Sequence, residues 1–134
     1  MAELDWAQDK LNPRVTRNFI LRFRPHQTDE NFISDDGERK SLANWEATVN
    51  KALNKEGCYF FSDSAYRIGD KLDIEIIFPS LQSPMKFLGE IKHCSEASYQ
   101  SSPVFAIGVY FLEYEENKKS AFEQTIDFFL KKQT

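Results

Sequence analysis

From Lys71 to Phe78 the chain reads KLDIEIIF. Leu72, Ile74, Ile76 and Phe78 fall on one face, and Lys71, Asp73 and Glu75 on the other. A period of two is the signature of a strand with one buried and one wet face. Such a strand is unstable alone, so the rest of the chain must supply neighbours and a core. Five further segments can do so. Phe19, Leu21 and Phe23 alternate with Ile20, Arg22 and Arg24, and Pro25 ends the run. Residues 43–51 place Trp45, Ala47 and Val49 on one face. CYFFS follows Gly57, and 85–93 and 104–114 complete the set.

The connections are short and polar. SDDGERKS holds the turn signal Asp36-Gly37, YRIGDK forms a turn, and PSLQSP a loop. SEASYQSSP, between the last two strands, reads as a hydrophilic connection. The period then changes. Phe122, Ile126, Phe129 and Leu130 recur at helical spacing, which predicts an amphipathic helix within 117–132. Ser120 and Glu123 have capping-box spacing, with Asn117 as a competing cap, and Lys131 and Lys132 suit the helix C-terminus. Leu4, Ala7 and Leu11 suggest a short helix at 2–11, stopped by Pro13.

These elements predict a mainly β fold: a six-stranded antiparallel β-barrel with a C-terminal α-helix. Closure removes exposed sheet edges. Residues 1–13 read as an N-terminal arm or short helix, and 14–134 as one barrel domain that includes the helix. The 134 residues suffice for one core, and twelve phenylalanines suit the interior of a small barrel.

Several function classes recede on the same grounds. A net charge of −4 disfavours broad nucleic-acid binding. No apolar run approaches a bilayer span, and the acidic start, MAELD, lacks the apolar stretch of a signal peptide. A cytoplasmic protein without membrane insertion is the expectation. Cys58 and Cys94 stand far apart, and with His26 and His93 they give no paired metal-ligand spacing, so neither a disulfide framework nor a metal is expected. In CYFF, Tyr59 and Phe61 share one face and Cys58 and Phe60 the other, a pattern of core packing rather than of a base-stacking platform. No local nucleophile–base arrangement or phosphate-cradling loop is present, so the chain is not expected to be an enzyme or to carry a cofactor.

The ordered set LNKEGCYFFSDSAYRIGDKLDIEIIFP, FLGEIKH, FAIGVYFLEY and a terminal helix resembles the PilZ domain family over roughly residues 14–132. Gly57, Gly69-Asp70, Gly89 and Ile107-Gly108-Val109-Tyr110-Phe111 stand in the family's order. The resemblance implies a six-stranded barrel and, for many members, binding of the bacterial messenger cyclic di-GMP. The family signature pairs Arg-x-x-x-Arg on the arm with Asp/Asn-x-Ser-x-x-Gly at a strand start. Guanidinium groups bind phosphate and guanine bidentately and stack on the base. A short polar side chain followed by glycine adds hydrogen bonds and close backbone approach.

This chain departs from both halves. Ala52 stands where Asp or Asn belongs, and Asn54 where Ser belongs. Arg14 and Arg17 occupy the arm but are three residues apart instead of four. Two readings follow. In one, Arg14, Arg17, Asn54 and Gly57 bind cyclic di-GMP and the arm orders around it. In the other, the chain is a divergent PilZ adaptor that works through a protein partner without the messenger.

Overall fold

β1 (Ile20–Pro25) carries the constraint that shapes the molecule, because it pairs on both sides. The computed structural model describes residues 10–26 and 45–133. Its other strands are β2 (Glu46–Leu53), β3 (Gly57–Ser62), β4 (Lys71–Ile76), β5 (Met85–Tyr99) and β6 (Ser102–Tyr114). They form a closed barrel in the order β1-β2-β3-β6-β5-β4, all neighbours antiparallel. A 3-10 turn, Glu116–Lys118, leads into the helix α1 (Lys119–Lys132). The expected six-stranded antiparallel barrel with a C-terminal helix is therefore the observed fold. The expected helix at 2–11 and the turn-rich stretch 26–40 lie almost entirely outside the described residues.

The period-two pattern is realised strand by strand. Leu21 and Phe23 face inward opposite Ile76 and Ile74 across the β1–β4 seam. On the outer side of that seam, Arg22 meets Glu75 at 2.8 Å and Arg24 meets Asp73 at 3.2 Å. The Trp45 ring lies 4.4 Å from each guanidinium, so it stacks under both. At the turn before β4, Gly69 has a φ of +97°, a conformation that favours glycine.

The phenylalanines explain how α1 is held. Phe122 is fully buried, with ring centroids 5.5 Å from Phe78, 5.2 Å from Phe87 and 5.6 Å from Tyr114. Phe19 packs on both Phe78 and Phe129. Ile126 is buried beside Phe122, whereas Phe129 and Leu130 are only half-buried.

Two sequence expectations are corrected. SEASYQSSP is not a loop. β5 and β6 pair through it to Ser98↔Pro103 and Tyr99↔Ser102, and turn at Gln100-Ser101, whose φ values are +52° and +68°. Two consecutive positive φ angles suit a tight hairpin, but the usual Asn-Gly signal is missing and the tip is polar. The Ser120–Glu123 capping box is not formed, and Asn117 is not the cap. The N-cap is Lys118, without a side-chain cap bond, because the preceding 3-10 turn feeds α1 directly. Trp45, Ala47 and Val49 share a face as read, the outer one, while β2 buries Asn50 inside.

Phe122→Ala is expected to destabilise the fold by about 3–5 kcal/mol in urea denaturation, and Phe129→Ala by less, since its ring is half-buried. Cys58 is fully buried and its thiol is pushed up by burial, while Cys94 is half-buried. Alkylation of the native protein, followed by peptide mass spectrometry, should modify Cys94 and leave Cys58 unmodified until denaturant is added.

Candidate ligand site at the arm junction

Asn50 organises the junction between the arm and the barrel. Its side-chain oxygen accepts from the Phe19 amide at 2.7 Å, and its side-chain amide donates to the Arg17 carbonyl at 2.9 Å. The Asn18 side chain donates in turn to the Asn50 carbonyl at 2.5 Å. A buried amide must find partners for both its ends, and here the arm backbone supplies them. Farther along, Val15 and Leu53 exchange backbone hydrogen bonds of 2.6 and 3.0 Å. Gln133, just past α1, accepts from the Thr16 amide at 2.7 Å and donates to the Arg14 carbonyl at 2.9 Å. Leu11 and Val15 are fully buried. Residues 11–19 are thus fixed to β2 and to the end of α1 by their own contacts.

The predicted site residues fall around this junction. Arg14 is half-buried beside Val15. Arg17 is exposed, with its guanidinium 5.0 Å from the centre of the Phe129 ring. Asn54 is 8% exposed, and its side-chain oxygen accepts from the amides of Glu56 at 2.7 Å and Gly57 at 3.0 Å. Its side-chain amide donates to the Pro13 carbonyl at 3.4 Å. Asn54 therefore closes the turn between β2 and β3 on itself.

Gly57 has a local structural cause. A Cβ built there would stand 2.1 Å from the Val109 carbonyl oxygen of β6. The glycine permits close strand approach in the β3–β6 pair. Ala52 is 2% exposed and packs with Leu11, Tyr59 and Ala106. It has no opening toward a ligand.

The groove at this junction, about 280 Å³, is lined by Asn12, Pro13, Asn54, Lys55, Glu56, Ile126, Asp127 and Leu130. Asn54 reaches it, while Arg14 and Arg17 are not part of its wall. Its cation, Lys55, pairs with Asp127 at 3.0 Å. That hydrogen bond holds the Lys55 ammonium above its ordinary range. Sequence reasoning missed Asn50 and Gln133. A lone asparagine inside a strand and a glutamine after a helix carry no motif that distinguishes them from surface residues.

Among the described residues, no group of three His, Cys, Asp or Glu side chains comes together to hold a metal, and no helix is long and apolar enough to cross a membrane. Cys58 lies inside the barrel, whereas His26 pairs with Asp73 on the outside at 2.6 Å.

A closed six-stranded barrel whose arm crosses β2 beside the β2–β3 turn, with a C-terminal helix laid over it, is a PilZ-like fold. The structure is similar to that of the Bacillus subtilis inhibitor of motility (MotI/DgrA), with a TM-score of 0.60 at 10% sequence identity, over 90% of this chain and 49% of that one. The chain thus spans about half the length of that solved protein, and at this identity the likeness shows the fold. No family model and no curated protein sequence matches the chain.

Gly57→Ala is expected to cost roughly 1–3 kcal/mol of stability, because the added carbon meets a backbone oxygen. Asn54→Ala should cost about 1–3 kcal/mol by leaving two turn amides without their acceptor, whereas Asn54→Asp, which keeps the acceptor, should remain near wild type. Thermal and urea unfolding of the three variants checks both.

Proposed function

We propose that the chain is a PilZ-like signalling domain that works as an adaptor through protein contact, with no catalytic step. One observation carries this reading: the side chain that takes the signature's polar position, Asn54, spends its acceptor on the Glu56 and Gly57 amides. The adjoining Ala52 is packed, and the nearby Lys55 is neutralised by Asp127. The rim on which a dianionic nucleotide depends is satisfied from within. The likeness to a protein named for inhibiting motility supports a regulatory role.

A second reading keeps messenger binding, with Arg14, Arg17, Asn54 and Gly57 around cyclic di-GMP. It is favoured by one fact. The Val15–Leu53 pairing and the Asn54–Pro13 hydrogen bond bring the arm and the strand-start turn side by side.

Calorimetric titration with cyclic di-GMP separates the two. The adaptor reading expects no saturable heat. The receptor reading expects saturable binding that weakens with salt and is lost in the Arg14→Ala, Arg17→Ala double variant. Ala52→Asn is expected to lower stability by about 1–3 kcal/mol without conferring binding, because the larger polar side chain enters a closed cluster. Tight binding by that variant would overturn the adaptor reading.

A further inference from the structure

Resting on the adaptor reading, we propose that the groove between α1 and the loop after β4 is the partner surface. Its occupant is an acidic amphipathic helix of another protein. The groove is about 590 Å³ and is lined by Pro79, Ala121, Gln124, Thr125, Phe128 and Phe129, with Ser80 at its floor. Phe128 is 53% exposed. The core needs Phe122 and Ile126 from α1, and Phe128 lies outside it, edge-on to Phe129 with ring centroids 5.0 Å apart. A large aromatic ring kept half in water beside a groove marks a contact surface more than a core defect.

Charge decides the kind of partner. The chain carries a net charge of −4, yet among the described residues no carboxylate lines this groove. Two cations stand on its floor rings instead. Arg17 lies 5.0 Å from the centre of Phe129, and the Lys132 ammonium lies 5.5 Å from that of Phe128. At helical spacing, Glu123 and Asp127 fall on the far side of α1 from Ala121, Thr125 and Phe128. Asp127 lines the other groove and pairs with Lys55. A partner with apolar side chains flanked by carboxylates fits; one flanked by lysines meets Arg17 and Lys132.

Hydrogen bonding decides the conformation. The Thr125 hydroxyl donates to the Ala121 carbonyl at 2.8 Å and lies 2.7 Å from the Ser80 hydroxyl, so the floor's polar side chains are paired with each other. The helix backbone along the groove is bonded internally, so α1 has no strand edge to offer. An extended segment seated there would find no backbone partner in α1. A helix brings those groups already paired, and lays an apolar stripe into the groove.

The test uses the full chain and a synthetic probe. The probe is a helical peptide with leucines at i, i+3, i+4 and i+7 and glutamates elsewhere; the control replaces the glutamates with lysines. Fluorescence anisotropy should show saturable binding of the glutamate peptide, weaker with added salt and absent for the lysine peptide. Amide NMR shifts should concentrate at Ala121, Gln124 and Phe128. Phe128→Ser, with its unfolding temperature checked, should weaken binding about tenfold or more, and so should Arg17→Glu with Lys132→Glu. No saturable binding, equal binding of the lysine peptide, or wild-type affinity in both variants overturns the proposal. Failure here with a silent messenger titration removes only this surface. A saturable messenger titration removes the adaptor reading, whatever the peptide does.

Discussion

Closure of the sheet at the β1–β4 seam is the interaction on which the rest depends. β1 has six residues and pairs with β2 on one side and β4 on the other. The seam places Leu21 and Phe23 against Ile76 and Ile74 inside the barrel, while its outer face carries the Arg22–Glu75 and Arg24–Asp73 pairs. Exposed ion pairs of this kind contribute little stability, so the inner apolar pairs and the continuous backbone ladder hold the closure. Once closed, the barrel has no long edge along β1 or β4. It also fixes where the chain enters. The arm before β1 must run back along β2, where Asn50 and Leu53 meet its backbone.

That route sets the arm beside the β2–β3 turn, where the Asn54 side chain meets the Pro13 carbonyl. The topology sets the arm arginines near the β2–β3 turn, as the family resemblance implies. The local chemistry then closes the turn on itself. Asn54 is long enough to reach the Glu56 and Gly57 amides, so its side-chain oxygen is bonded within the turn. Gly57 is held to glycine by the Val109 carbonyl in any case, whether or not a ligand stands near it. The glycine that looks like part of a signature is thus also what strand packing alone demands.

The legible parts of this chain were those in which one residue's role depends on near neighbours in sequence. The alternation from Leu72 to Ile76 and the helical recurrence of Phe122 and Ile126 are local, and both faces read from them are the faces observed. The outer charges of β1 and the Gly69 turn were readable for the same reason. What stayed hidden depends on distant partners. Asn50 is buried because the arm backbone needs its amide, a fact that lies 31 residues away at Phe19. The β5–β6 ribbon reads as a loop because serines and other polar residues dominate the sequence around its turn. Its order comes from pairing across a turn without the usual glycine. Ser120 and Glu123 had the spacing of a cap, but the 3-10 turn anchored by Lys118 to Ser83 starts the helix first. The candidate site divides in the same way. The residues singled out for it came from the order of motifs, whereas the hydrogen bonds that Asn54 makes within its own turn required the coordinates.

The helix ties these features together. α1 uses Phe122 and Ile126 to cover the barrel, and Gln133 just beyond it to hold the arm at Arg14 and Thr16. Arg17 sits where arm and helix meet, with its carbonyl bound to Asn50 and its guanidinium on Phe129. The residue most suited to gripping a phosphate in the messenger reading therefore also stacks on Phe129, one of the rings that line the apolar groove. A carboxylate from a partner helix and a phosphate from a nucleotide make the same electrostatic demand on that guanidinium. What differs between the two ligands is the surface around it. On the turn side that surface is polar and already bonded, and on the helix side it is an open aromatic floor. The two readings therefore differ in which surface the Arg17 guanidinium serves, and its contact with the Phe129 ring turns it toward the helix side.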